Sequence, residues 1–389
     1  MSSGQSTSGN GRLYGVGVGP GDRVVGLLPN RPEAIIAMLA TANLGAVWSS
    51  CSPDFGPSGV LDRFGQIGPK VMFVTDVYFY NGKTIDCLPC AAQVTGQLDT
   101  LETLIVVPYR NETPNLTCLP GAKLYADLLL DTTKPRYESF PFSHPLYIMY
   151  SSGTTDVPKC IVHGVGGTLI QHKKEHLLHC DIKAGDSVFY FTTTGWMMWN
   201  WLVSALASGA KLILFDGSPF HPDPGILWRI AEREHLTLFG TSAKYLSALE
   251  KTGYKPRENV SLENLSSVLS TGSPLAPSSY DFVYENVKQD LQLSSVAGGT
   301  DLISCFAVGN PILPVYRGEL QCRGLGMQME IFNDQGESDG ILEDLEVSLD
   351  GLREELHVFA KKRGTMVGNI TVVDNGDEIN CRQMGTGGY

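Results

Sequence analysis

Tyr150-Ser151-Ser152-Gly153-Thr154-Thr155-Asp156-Val157-Pro158-Lys159 follows the apolar run Leu146 to Tyr150 without a spacer. Such a run reads as a buried strand, so the small hydroxyl residues begin where a strand ends. Hydroxyl residues beside a glycine let successive backbone N–H groups converge on one anion, and the hydroxyls add donors. Lys159, on its flexible stem, supplies a mobile positive charge for the outer phosphates of a nucleotide. The spacing is not Gly-x4-Gly-Lys-Ser/Thr, so a P-loop NTPase is not indicated. Asp156 is the odd member. Its short side chain tolerates left-handed backbone, yet it brings negative charge towards a phosphate.

Working outward, the same strand-then-turn texture recurs along the chain. Gly21 to Leu28 reads as a strand; Asn30 follows as a cap, with Pro32 just inside a helix over Glu33 to Asn43. Ala46 to Trp48, Lys70 to Val74 and Thr103 to Val107 are further short apolar runs. Beyond the phosphate-type loop, Ser187 to Phe191, Lys211 to Phe215 and Val268 to Ser270 read as strands. Helices over Pro224 to Glu234 and Lys244 to Thr252 lie between them. Strands alternating with helices imply βαβ units and parallel sheets buried on both faces. The expected fold is α/β: two stacked lobes with mainly parallel sheets, plus a small β unit after residue 311. Residues 1–13 read as a disordered tail, and residues 338–389 as an acidic tail. In that tail Leu342, Leu345, Leu349, Leu352 and Leu356 recur at helical spacing and predict an amphipathic helix, followed by coil.

The 389 residues carry a net charge of -12. So acidic a surface repels phosphate backbones and anionic lipid, which argues against nucleic-acid and membrane-surface partners. One glycine-lined pocket can still hold a nucleotide. The most membrane-like stretch, Trp196 to Phe215, is broken by polar residues and reads as buried core. Nine scattered cysteines fit a reducing, cytoplasmic setting. Cys87 and Cys90 form a Cys-x-x-Cys pair, but further zinc ligands and a helix starting there are not evident, so two incidental thiols are expected. Nothing in the sequence indicates an oligomeric state.

Ser151 to Lys159 resembles the signature loop of the adenylate-forming acyl-CoA synthetase superfamily, Ser-Ser/Gly-Gly-Thr-Thr-Gly-x-Pro-Lys, with Asp156 in place of a glycine. Three other stretches agree. Thr193 to Asn200 resembles the wall of the acyl pocket, Ser270 to Leu275 the loop that holds adenine, and Gly298 to Ser304 the segment whose acid reaches Mg2+. The resemblance implies that Ser151, Ser152, Gly153 and Thr154 hold phosphates, with Thr155 and Lys159 catalytic. Gly272, Ser273, Pro274 and Thr300 would contact the nucleotide, Gly195 and Trp196 the acid, and Asp301 the metal in a catalytic role. Ala46 to Gly56 and Gly164 to His176 match the acetoacetate branch of that superfamily. The implied partners are ATP, Mg2+, CoA and a small acid, and the implied reaction is acetoacetate to acetoacetyl-CoA through an adenylate. His163 and His176 read as structural histidines.

The resemblance covers roughly 14–337, expected to be the large AMP-binding domain, incomplete at its C-terminal side. The ribose-clamping aspartate, the hinge and the small C-terminal domain with its lysine have no match beyond Glu337. Impaired turnover is therefore expected. Activation of another short acid and a non-catalytic nucleotide-binding role stay open.

Overall fold

Val24 and Val25 are sequence neighbours that lie in different hydrophobic cores. That is the signature of a strand covered on both faces, since successive side chains of a strand point to opposite sides. The computed structural model describes residues 13, 15–110, 113–130, 137–151, 157–332, 338–341, 356–362 and 365–372.

The first lobe contains β1 (Arg23–Leu27), β2 (Val47–Cys51), β3 (Val71–Thr75), β4 (Val77–Tyr80), β5 (Lys83–Asp86), β6 (Thr103–Val107), β7 (Lys123–Leu124), β8 (Pro145–Ser151) and β9 (Lys159–Gly164). β4 and β5 form a separate hairpin, and the others make one sheet in the order β7-β6-β3-β1-β2-β8-β9. Its neighbours pair in parallel except β9, which runs antiparallel to β8. Helix α1 (Pro32–Asn43) packs Ala34, Ile35 and Met38 on one face. Helices α2 (Pro57–Ile67) and α3 (Leu88–Thr95) pack Val60, Phe64, Leu88 and Ala91 on the other. Burying each large apolar side chain contributes about 1.5–3 kcal/mol, so a charge at Val25 would break this layer. Gly26 has no room for a side chain: a Cβ there would lie 2.6 Å from the Trp48 ring.

Helix α4 (Val165–Lys174) leads out of β9 and continues as a π turn over Glu175–His179. The second lobe has β10 (Ser187–Tyr190), β11 (Lys211–Ile213), β12 (Leu238–Ser242), β13 (Ser267–Thr271) and β14 (Gln292–Ser295). They form an all-parallel sheet in the order β11-β10-β12-β13-β14. Phe189 enters one core while its neighbours Val188 and Tyr190 enter the other. Helices α5 (Met197–Ser204), α6 (Ile226–Arg233), α7 (Ala243–Thr252), α8 (Pro256–Asn259) and α9 (Pro277–Asn286) accompany this sheet. Antiparallel β15 (Ala297–Gly299), β16 (Ser304–Val308) and β17 (Cys322–Arg323) follow. A last sheet is built from β18 (Met327–Phe332), β19 (Ser338–Ile341), β20 (Leu356–Lys362) and β21 (Thr365–Val372).

The α/β expectation holds, with three local differences. Arg31, not Asn30, is the N-cap of α1 and gives it no side-chain bond; the Asn30 amide turns to the other lobe. A helix does start at the Cys-x-x-Cys pair, since Cys87 is the N-cap of α3. Of the expected amphipathic helix, Leu342, Leu345, Leu349 and Leu352 lie outside the described residues, and Leu356 opens a strand. No helix among the described residues is long and apolar enough to cross a membrane.

Candidate functional site

In each lobe the chain leaves a central strand in one direction and then returns to its other side. From β1 it passes to β2 and then to β3; from β10 it passes to β11 and then to β12. Open parallel sheets bind ligands at the carboxyl ends of strands at such reversals. Here the carboxyl ends of the two lobes meet. The Thr194 hydroxyl, just past β10, donates to Leu28 O at 2.7 Å and lies 3.2 Å from Cys51 O. Ser50 Oγ donates back to Thr194 O at 2.7 Å. Asn30 Nδ2 reaches Thr192 O at 3.4 Å, and its Oδ1 accepts from Trp199 Nε1 at 3.0 Å. Every one of these polar groups is paired across the seam, as burial demands.

Of the residues picked out by sequence, Gly195 lies at this seam and Ser151 follows Tyr150, which lines it. Ser151 ends β8 and pairs with Lys159, the exposed first residue of β9, so the two strands that flank the phosphate-type sequence run as an antiparallel pair. Ser152, Gly153, Thr154, Thr155 and Asp156 lie outside the described residues. At the end of β8, Ser49 Oγ gives its proton to Ile148 O at 2.8 Å and accepts from the Tyr150 hydroxyl at 2.9 Å, while burial pushes the Tyr150 phenol up. Gly195 is half-buried against the first lobe. A Cβ there would sit 3.0 Å from Phe55 Cε2 and 3.3 Å from Ser52 N. Trp196 is 66% exposed, unlike Trp199 and Trp201, which are core. A small pocket at the seam is lined by Ser50, Tyr150, Thr194, Gly195 and Asn200, among others.

Gly272 follows β13 at φ 85, a conformation that only glycine adopts without strain, and it releases Ser273 and Pro274 from the strand direction. Thr271 Oγ1 donates to Val296 O at 2.9 Å, which fixes that turn beside the end of β14. Thr300 and the exposed Asp301 sit in the turn between β15 and β16. Among the described residues no group of three or more His, Cys, Asp or Glu could hold a metal. Mg2+ does not need one, because it keeps several waters and takes one or two carboxylates besides substrate phosphates. Asp301 therefore fits a Mg2+ carried in with a nucleotide, not a site made by protein alone. The Cys87 and Cys90 thiols are both raised by burial, Cys87 to about 12, so neither offers the thiolate that redox or zinc chemistry needs.

Sequence reasoning missed Glu175. It is 1% exposed in the π turn, and Gln171 Nε2 (3.0 Å), Ser304 Oγ (2.6 Å), Cys305 N (3.1 Å) and Trp201 Nε1 (2.9 Å) all donate to it. The run His172-x3-His176-x2-His179 was the available signal: three histidines on one helical stretch, each donating to or paired with a distant backbone group. His176 Nε2 meets Trp201 O at 3.1 Å.

Comparison with known proteins agrees with this architecture. Residues 11–338 match the family model described as AMP-binding enzyme. The chain is 52% identical over 327 residues to an acetoacetyl-coenzyme A synthetase of Rhizobium meliloti (strain 1021), covering 83% of this chain and 50% of that protein. Against acetoacetyl-CoA synthetase of Gallus gallus the identity is 50% over 328 residues, covering 82% and 49%. The solved structure of acetoacetyl-CoA synthetase from Streptomyces lividans matches with a TM-score of 0.83 at 42% identity, covering 94% of this chain and 55% of that one. The chain spans about half the length of the curated relatives it matches. With a match over most of its residues and with the carboxyl ends of both sheets meeting at one seam, the chain belongs to the family of AMP-binding enzymes.

Proposed function

We propose that this chain serves the ATP-dependent activation of acetoacetate to acetoacetyl-CoA through acetoacetyl-adenylate. The observation that carries the reading is the meeting of strand ends: Thr192 to Gly195 is stitched to the ends of β1 and β2, next to the end of β8. In the first half-reaction an acid oxygen attacks the α-phosphorus of ATP, the bond to the bridging oxygen breaks, and pyrophosphate leaves. In the second, the CoA sulfur attacks the acyl carbon, its proton is lost, and AMP departs.

A carboxylate approaching a polyphosphate meets strong like-charge repulsion, about 4 kcal/mol for one pair at 4 Å near a protein surface. Lys159 and the hydroxyls and N–H groups of Ser151, Ser152, Gly153, Thr154 and Thr155 would offset it and stabilise the leaving pyrophosphate. Asp301 would hold a Mg2+ brought in with the nucleotide, and that ion would supply further charge neutralisation. Gly272, Ser273 and Pro274 would seat adenine, Thr300 would contact the nucleotide, and Gly195 with Trp196 would wall the acid. A cytoplasmic setting belongs to the same reading, supported by eight free cysteines among the described residues.

Calorimetric titration of the 389-residue chain with ATP and Mg2+ tests it, beside Lys159→Ala. Loss of one charge-assisted contact should weaken binding about tenfold or more. Unchanged affinity in that variant removes the basis of the assignment. Pyrophosphate release with acetoacetate against acetate settles the acid, and binding without thioester product would favour a non-catalytic nucleotide-binding role.

A further inference from the structure

The turn that carries Thr300 and Asp301 includes a residue under backbone strain. Ile303 sits at φ 48, a conformation β-branched residues leave unless their surroundings hold them there. Two buried histidines from outside the turn do so. His172 Nε2, from α4, lies 2.9 Å from Ile303 O, and His163 Nε2, from β9, lies 2.7 Å from Thr300 O. A carbonyl only accepts, so both ring nitrogens donate. Burial lowers the pKa of both imidazoles, that of His172 to about 4, so each carries a single proton and it resides on Nε2. His172 Nδ1 is then an acceptor, facing Ser204 Oγ at 2.8 Å.

Two further facts connect this arrangement with chemistry. Among the described residues no hydrogen bond holds the exposed Asp301 carboxylate, so what the protein fixes is the turn backbone from which that side chain projects. His163 lies four residues beyond Lys159 on β9, and such residues share one face of a strand. The contact from His163 to Thr300 therefore registers the Asp301 turn against the strand that Lys159 begins. Glu175 extends the hold one step further, taking the Ser304 hydroxyl and the Cys305 N–H.

We propose that His172 and His163 are positioning residues whose Nε2–H groups clamp the carbonyls of Ile303 and Thr300, and so aim Asp301 at a nucleotide-bound divalent cation. This rests on the nucleotide-binding reading above for its functional meaning, while the clamp itself is a property of the protein alone.

The test uses two readouts on the full chain. The Leu302 and Ile303 amides close the turn onto Gly299 O and Thr300 O. In His172→Phe their hydrogen exchange should quicken at least tenfold, and in His172→Gln, which keeps an N–H near the Nε2 position, it should stay close to wild type. Mn2+ followed by electron paramagnetic resonance gives the second readout. His172→Phe should weaken Mn2+–ATP binding about tenfold while metal-free ATP binding stays within twofold, and His172→Gln should restore it. The pair His163→Phe and His163→Gln repeats the comparison at the other carbonyl, should the first replacement fail to fold. Wild-type exchange in both Phe variants overturns the clamp, and so does a Gln variant as defective as its Phe counterpart. Wild-type protein that binds no Mn2+–ATP refutes the nucleotide reading and the aiming of Asp301, and the exchange comparison then still decides the clamp.

Discussion

Replacing Glu175 by glutamine changes one heavy atom of a group that five donors surround. Oε1 accepts from Gln171 Nε2, Ser304 Oγ and Cys305 N, and Oε2 accepts from Trp201 Nε1. Lys174 Nζ lies 3.7 Å from Oε1. A glutamine must put its NH2 at one of the two oxygen positions. At Oε1 it would confront three donors; at Oε2 it confronts the Trp201 indole and, at 4.0 Å, the weak thiol donor of Cys305, so that orientation wins. The least cost is one buried donor left unpaired, about 1–3 kcal/mol. The bonds that remain lose charge assistance, which roughly doubles the strength of such bonds. Glu175→Gln should therefore destabilise the chain by about 2–4 kcal/mol, a large share of the ~5–15 kcal/mol typical of a folded protein. Even at the ~2–4 °C per kcal/mol of smaller domains, and less in a longer chain, the melting midpoint should fall by roughly 5 °C. Differential scanning calorimetry and the indole N–H resonance of Trp201 measure the two consequences. A midpoint within about 1 °C of wild type, with that resonance unmoved, would refute the account of Glu175 as the acceptor that ties α4 to β16.

Gly195→Ala places a methyl 3.0 Å from Phe55 Cε2 and 3.3 Å from the Ser52 amide nitrogen. Steady-state kinetics should show KM for the acid raised about tenfold, equivalent to ~1.4 kcal/mol, with nucleotide affinity unchanged. Asp216 is half-buried against the first lobe, and desolvation, partly offset by Tyr109, the Phe79 amide and Arg31, raises its pKa from 3.8 to about 6. A raised folded-state pKa contributes stability below about pH 3.8 that is lost as pH rises through about 6, so Asp216→Asn should match wild type at pH 4 and exceed it at pH 7.5 in urea midpoint. Exposed Cys118 should react with iodoacetamide at pH 8 in the folded chain, whereas Cys87, held near 12 by burial, should react only on unfolding; rapid native labelling of Cys87 by mass spectrometry would contradict that burial.

What the sequence disclosed and what it hid divide along a physical line. Leu104 to Val107 is a continuous apolar run, and β6 occupies it with one more residue, Thr103, at its start, because a strand covered on both faces is apolar on both sides. The turns after β10 and β13 were legible for a related reason: glycine and small hydroxyl residues after a strand answer to local backbone geometry. Asn30 shows where local reasoning fails. It has the side chain of a helix cap and a helix one residue away, but its amide is taken by Thr192 O and its oxygen by Trp199, both in the other lobe. Glu175 and Ser304 are 129 residues apart, and His172 and Ile303 are 131 apart. Periodicity states which face of α4 is buried; it cannot state which strand's polar groups that face will meet. Three histidines and a glutamate within eight residues suggest a metal site or a charged surface by composition alone. Burial decides against both, because a desolvated imidazole gives up its charge and becomes a neutral donor, and a desolvated carboxylate persists only where donors from several elements converge on it. The polar residues of α4 are therefore fixed in role by the acceptors and donors of β16 and its preceding turn, and those partners exist only once the two lobes have closed on each other.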